Sequence, residues 1–139
     1  MDFDLERFVT AQRGGYDAVL RELRAGRKSG HWIWYVFPQL AALGRSETAK
    51  LYGIRSLDEA RAYLEHPVLG PRLVECAEIV AAARATTIDD YFGWPDRLKV
   101  RSSMTLFMRA DPAEPAFREV LVRWYRGVPD GQTDALLGE

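Results

Sequence analysis

Five stretches free of glycine and proline run through this chain: Tyr16–Ala25, 54–66, 72–92, 96–111 and 116–126. Strands usually span roughly 4–8 residues, so uninterrupted stretches of this length point to helices. The apolar spacing agrees. Tyr16, Val19, Leu20 and Leu23 follow the i, i+3, i+4, i+7 template, and Phe117, Val120, Leu121 and Trp124 repeat it. Leu5, Phe8 and Val9 share one helical face, as do Leu73, Ala77 and Val80. Period-2 alternation is not evident. Residues 32–37 form the one strand candidate; they are apolar throughout and fit a short buried helix equally well.

Helix-start signals fall where this spacing wants them. Ser56 followed by Glu59 reads as a capping box, and Thr87 with Asp90 as a weaker one. Pro71, Pro95 and Pro115 suit first helical turns, and Gly93 and Gly127 suit positions just past helix ends. With 139 residues, 47% of them hydrophobic, the chain has the material for one core. The expected fold is all-α: a single compact domain over residues 1–139, with about seven or eight helices, several of them short.

Charge and cysteine usage exclude several function classes. Nineteen basic and 20 acidic residues leave a net charge of −1, which disfavours a nucleic-acid-coating surface. The lone cysteine, Cys76, cannot close an internal disulfide and fits a reducing compartment as an inert core thiol. The only histidines are His31 and His66, too few for a structural zinc site beside one cysteine, so no metal and no cofactor is expected. The N-terminus, Met1-Asp2-Phe3-Asp4, is acidic where a signal peptide would be basic, and no apolar run approaches the roughly 20 residues that span a bilayer. A cytoplasmic protein without membrane contact is expected.

Three segments need more than a structural explanation. The first runs from Arg27 through Lys28, Ser29, Gly30 and His31 into Trp32-Ile33-Trp34-Tyr35-Val36-Phe37, then Pro38 and Gln39. Ile33, Val36 and Phe37 read as core. Trp32 and Trp34, beside His31 and Gln39, could stack a flat ligand, since an indole also carries a polar handle. Arg21, Arg24 and Lys28 lie at helical spacing and read as a solvated face. Together with the aromatics they leave single-stranded nucleic acid as a minor alternative.

The second segment is Gly44-Arg45-Ser46-Glu47. Ser46 reads as an N-cap, and Arg45 beside free N–H groups could grip a phosphate or carboxylate. Glu47 opposes that reading, because its charge would already satisfy the helix dipole.

The third is residues 94–108. At about 100° per residue, Val100, Met104 and Phe107 form one apolar arc, and Leu98 and Leu106 a second. Lys99, Ser102 and Ser103 lie between the arcs. Either Lys99 meets a carboxylate from another helix and the serines bond back to i−4 carbonyls, or all three face a ligand. A Ser–Lys nucleophile is disfavoured, because the order S-x-x-K is missing. His66, before Pro67, reads as a helix end, and Asp58-Glu59 and Asp89-Asp90 as first-turn acids.

These segments, with Ala60-Arg61-Ala62-Tyr63-Leu64, His66-Pro67-Val68-Leu69-Gly70 and Lys99-Val100-Arg101-Ser102-Ser103-Met104-Thr105-Leu106-Phe107, resemble in order the signature of a bacterial family labelled domain of unknown function 1810. The resemblance spans essentially the whole chain. It implies one mostly helical domain and brings no activity with it. It also implies that the three segments belong to one recurrent signature, from which a single shared pocket is expected. A second likeness, at the level of fold, is to a helical ADP-ribose-related family that combines a Trp, a Gly-Arg pair and buried polar residues.

The leading expectation is a site that binds, and in its catalytic version hydrolyses, a small anionic ligand of nucleotide-like or sugar-phosphate type. Trp32, Trp34, Gln39, Arg45, Ser46, Lys99, Ser102 and Ser103 would contact the ligand, and His31 is the acid/base candidate. The alternatives are a non-enzymatic helical protein-interaction module and a single-stranded nucleic acid binder. The oligomeric state is not readable from the sequence.

Overall fold

The computed structural model describes residues 3–85 and 87–138. Among them ten α-helices follow in order: α1 (Glu6–Gln12), α2 (Tyr16–Ala25), α3 (Ile33–Val36), α4 (Glu47–Leu51), α5 (Leu57–Glu65), α6 (Leu69–Ala82), α7 (Ile88–Phe92), α8 (Asp96–Ala110), α9 (Pro115–Tyr125) and α10 (Gly131–Leu137). A 3₁₀ turn occupies Ala41–Leu43. The described residues contain no strand, only one parallel bridge between Leu40 and Ile54. The fold is therefore all-α, with more helices than the expected seven or eight.

The surplus has identifiable causes. Within residues 32–37, Ile33–Val36 form the four-residue helix α3 rather than a strand. The stretch 72–92 holds two helices: Ala83 turns extended at ψ 148°, and Thr87 restarts the chain by accepting the Asp90 N–H at 3.0 Å. Helix α10 lies beyond the last glycine-free stretch, and Asp130 caps it through the Thr133 N–H at 2.9 Å. Ser46 and Ser56 cap α4 and α5 as expected, each accepting an N–H at 3.1 Å. The Ser56 box is modified. The Glu59 carboxylate accepts from the Arg55 N–H at 2.8 Å, one residue before the cap, and pairs with Arg7.

Helix α8 is the central element. Val100, Met104, Leu106 and Phe107 are all fully buried. Helix α9 packs across both α6 and α8, and α5 lies against α8. Aromatic contacts bind these layers: Tyr63 meets Phe107 at 5.2 Å, Phe107 meets Phe117 at 5.9 Å, and Phe8 meets Tyr63 edge-on at 5.1 Å. Two of the aromatic polar handles find backbone partners. The Trp124 indole donates to the Val80 carbonyl at 2.8 Å, and the Tyr91 hydroxyl to the Leu23 carbonyl at 2.6 Å. Gln12, buried on α1, donates to the Tyr35 carbonyl at 2.7 Å and accepts from Arg72 at 3.2 Å.

The chain from α3 to α5 is held by tight contacts. Ile54 donates to the Gln39 carbonyl at 2.9 Å, and Ala41 donates to the Ile54 carbonyl at 2.8 Å. Gly53 lies so close to Ala41 that any Cβ there would collide with its backbone. Arg7 of α1 clamps the same region by donating to the carbonyls of Asp4, Leu51 and Gly53 and pairing with Glu59 at 3.1 Å. No helix among the described residues is long and apolar enough to cross a membrane.

Candidate functional site

A cleft of about 920 Å³ opens between three segments that are distant in sequence. Gln39, Leu43, Gly44, Arg45, Ser46 and Ala49 line one part. Trp94 and Pro95 lead into α8, which contributes Leu98, Lys99 and Ser102. Asp130, Gly131 and Gln132, at the start of α10, complete it.

Each wall is fixed by local structure. The bridge at Leu40 and Ile54 sets the backbone at Gln39. Gly44 packs against Ala49, where a Cβ would approach within 2.8 Å, so the Arg45 turn is drawn tightly onto α4. On the far wall, the Thr105 hydroxyl accepts the Asp130 N–H at 2.8 Å while donating to the Arg101 carbonyl at 2.8 Å. Arg109 grips Asp134 through two bonds of 3.0 and 2.9 Å, which tie α10 to α8.

Five of the sequence-expected residues line this cleft: Gln39, Arg45, Ser46, Lys99 and Ser102. Arg45 is exposed and has no ion pair or hydrogen bond among the described residues. Lys99 lies 3.8 Å from Asp96, and its ammonium sits 5.1 Å from the Trp34 ring. Its carboxylate partner thus comes from its own helix one turn back, not from another helix. Asp96 is shared, since its other oxygen pairs with Lys28 at 2.7 Å.

The remaining candidates are held elsewhere. Trp32 is only 4% exposed; its indole donates to Glu22 at 3.0 Å, Phe37 and Phe92 pack near its ring, and the Lys28 ammonium lies 5.1 Å from it. Its aromatic surface is used inside the core. Trp34 stands behind Lys99, and its buried indole nitrogen has no hydrogen-bond partner among the described residues. Ser103 is fully buried, and its hydroxyl has no partner among the described residues. It lies three residues from Val100 and four from Phe107, so helical rotation carries it into the core stripe while Ser102 stays at the cleft. Ser102 bonds back to the Leu98 carbonyl at 3.1 Å, and Ser103 does not make the equivalent bond. His31 is exposed and is not among the lining residues.

Two further expectations are corrected. Lys28 does not belong to a solvated face. Helix α2 ends at Ala25, and the Lys28 side chain is 7% exposed, bonded to Asp96 and to the Gly30 carbonyl. Leu98, expected in a buried second arc, is 43% exposed at the cleft.

Glu22 organises the loop that carries Lys28 and Trp32. One carboxylate oxygen accepts the N–H groups of Ser29 at 2.6 Å and Gly30 at 2.7 Å and the Trp32 indole at 3.0 Å. Burial alone would raise its pKa, but these donors outweigh burial and hold the carboxyl below its ordinary value. Cys76 is 1% exposed, and burial, the main cause, pushes its thiol up to about 12, consistent with an inert core residue.

Trp94 is not among the residues that the sequence points to, yet it is 73% exposed and lines the cleft. A signal existed: a tryptophan flanked by Gly93 and Pro95 lies outside any helical core stripe. Gln132 and Asp130 carried no comparable signal. Among the described residues, no group of three or more His, Cys, Asp or Glu is placed to hold a metal ion.

Residues 2–137 match the family model described as Protein of unknown function (DUF1810). No curated protein matches the chain. Among solved structures, the chain is similar to the conserved hypothetical protein Rv1873 from Mycobacterium tuberculosis. The TM-score is 0.96 and the identity 54%, covering 99% of this chain and 98% of that one.

Proposed function

The chain belongs to the DUF1810 family, and from that premise we propose that its cleft binds a small anionic ligand of nucleotide-like or sugar-phosphate type. The observation that carries the reading is the approach of Arg45 and Lys99 to one cleft from segments more than fifty residues apart. Arg45 is the freer of the two and can meet two oxygens of a phosphate or carboxylate side by side. Lys99 supplies a point charge. Ser102 and Gln39 supply neutral polar groups beside them. The cleft volume lies in the range of small-molecule sites.

Binding is favoured over hydrolysis, because His31 does not line the cleft and the Asp130 carboxylate is engaged by Thr133. Capping by Ser46 and the shortness of α4 make the arginine, rather than the helix end, the anion-holding group. The reading suits a reducing, cytoplasmic setting, given the free Cys76.

A thermal-shift panel of nucleotides and sugar phosphates tests it. A ligand at about a hundred times its Kd adds about 2.7 kcal/mol of stability and raises Tm. Arg45→Ala and Lys99→Ala should each abolish that rise, with Arg45→Ala alone leaving the unliganded stability within about 0.5 kcal/mol. No shift with any compound, or equal shifts in both variants and the natural chain, would sink the reading.

A second reading, a helical interaction module, draws on Trp94 and Leu98 being exposed together. It expects Trp94→Ala to abolish capture of a protein partner with no small-molecule response at all. The nucleic-acid alternative loses its aromatic component, since Trp32 is engaged within the core.

A further inference from the structure

We propose that the ligand of the cleft is a free nucleoside monophosphate, a flat base carrying a single phosphate group. This rests on the anion-binding reading and narrows it through three further observations.

The first is the apolar shelf. Trp94 is 73% exposed, and Leu98, four residues on, is 43% exposed, both along the cleft that Arg45 and Lys99 enter. Every other tryptophan of the chain is at least half withdrawn into the core or against it. An indole left in water beside two cations is suited to stack a planar ring whose substituent is anionic. A sugar phosphate offers no such ring.

The second is amide recognition. Gln39 and Gln132 reach the cleft from separate segments, and neither side chain has a hydrogen-bond partner among the described residues. Each amide offers donors and an acceptor together, the combination that pairs with the edge of a base.

The third is charge. Lys28 and Lys99 share the single carboxylate of Asp96, and Asp130 spends its carboxylate on capping α10. Among the lining residues, Arg45 and Lys99 stand against the one carboxylate of Asp130, a surplus of one positive charge. A phosphate monoester, at about −1.5 to −2 near pH 7, comes nearer to that surplus than a longer phosphate chain does. A triphosphate chain would bring more negative charge than these groups offset, and a nucleic acid strand would need a basic track that a chain of net charge −1 does not extend from the cleft.

The test is calorimetric titration of the full chain, without magnesium, with the four common ribonucleoside monophosphates, the four matching nucleosides, ribose 5-phosphate, ATP and a 5′-phosphorylated oligothymidylate. At least one monophosphate should bind about tenfold or more tighter than ribose 5-phosphate and than its own nucleoside. Trp94→Ala, a surface substitution, should erase that advantage and leave ribose 5-phosphate binding unchanged. Ribose 5-phosphate binding as tightly as every monophosphate, or an advantage that survives Trp94→Ala, overturns the base assignment while the anion site stands. Tighter binding of ATP or of the oligonucleotide overturns the single free phosphate. Silence from all the probes overturns the anion site as well.

Discussion

Ser102 and Ser103 are chemically identical neighbours with opposite roles. Ser102 satisfies its hydroxyl on the Leu98 carbonyl and faces the cleft, while Ser103 is fully buried with no hydroxyl partner among the described residues. A buried hydroxyl without a partner is a cost, so Ser103→Ala should leave the urea midpoint unchanged or raise it. A loss above about 1 kcal/mol would mean the hydroxyl has a partner, such as a buried water. The sequence placed both serines in one polar strip with Lys99. That strip is one residue narrower than the spacing suggested, because the core wraps further around α8. Leu98 shows the converse error: an apolar residue at a helical arc position that the neighbouring segments leave uncovered.

At the scale of elements, the loop between α2 and α3 depends on one carboxylate. Glu22 accepts from Ser29, Gly30 and Trp32, and so presents Lys28 to Asp96. Its carboxyl is held below the ordinary value in the folded state. A depressed folded value means the contribution is present above the unfolded carboxyl value, about 4.3, and is lost as pH falls through the folded one. Urea unfolding followed from pH 6 downward should show stability declining on the acid side, with Glu22→Gln less stable at pH 6 and flatter below it. An unaltered acid slope in Glu22→Gln would assign the decline to other carboxylates. The acceptor of these donors lies on the preceding helix, and nothing in short-range spacing singles out Glu22 for that role.

Across the whole molecule, the wall of the cleft that holds Gln39 and Arg45 hangs on a contact made by the first helix. Arg7 spans the carbonyls of Leu51 and Gly53 and pairs with Glu59, which is 2% exposed. Removing Arg7 strands the buried Glu59 carboxylate, so Arg7→Ala should cost about 3–5 kcal/mol in denaturant unfolding. It should also weaken any ligand response, because the segment from Gln39 to Ser46 is anchored through Ile54 and Gly53. A cost below about 1 kcal/mol would reduce the pair to a surface contact.

Periodicity alone determined the all-α class, the positions of the long helices and most of the core, because those features follow from the 3.6-residue repeat and from caps within four residues of one another. Ser46, Ser56 and Thr87 cap their helices where the spacing put them. The expectation that Arg45, Lys99, Gln39 and Ser102 share one pocket comes from the family resemblance of the segments that carry them, not from their spacing. Only the tertiary structure decided which aromatic stands in water. Trp32 and Trp34 lie within an apolar run and are drawn to the core or behind Lys99, whereas Trp94 is left on the cleft by the turn before α8. It alone brought in the start of α10, which reaches the site through Thr105 and Arg109. The physical reason is range: spacing reports neighbours along one helix, while exposure and pairing depend on which distant segments cover each face.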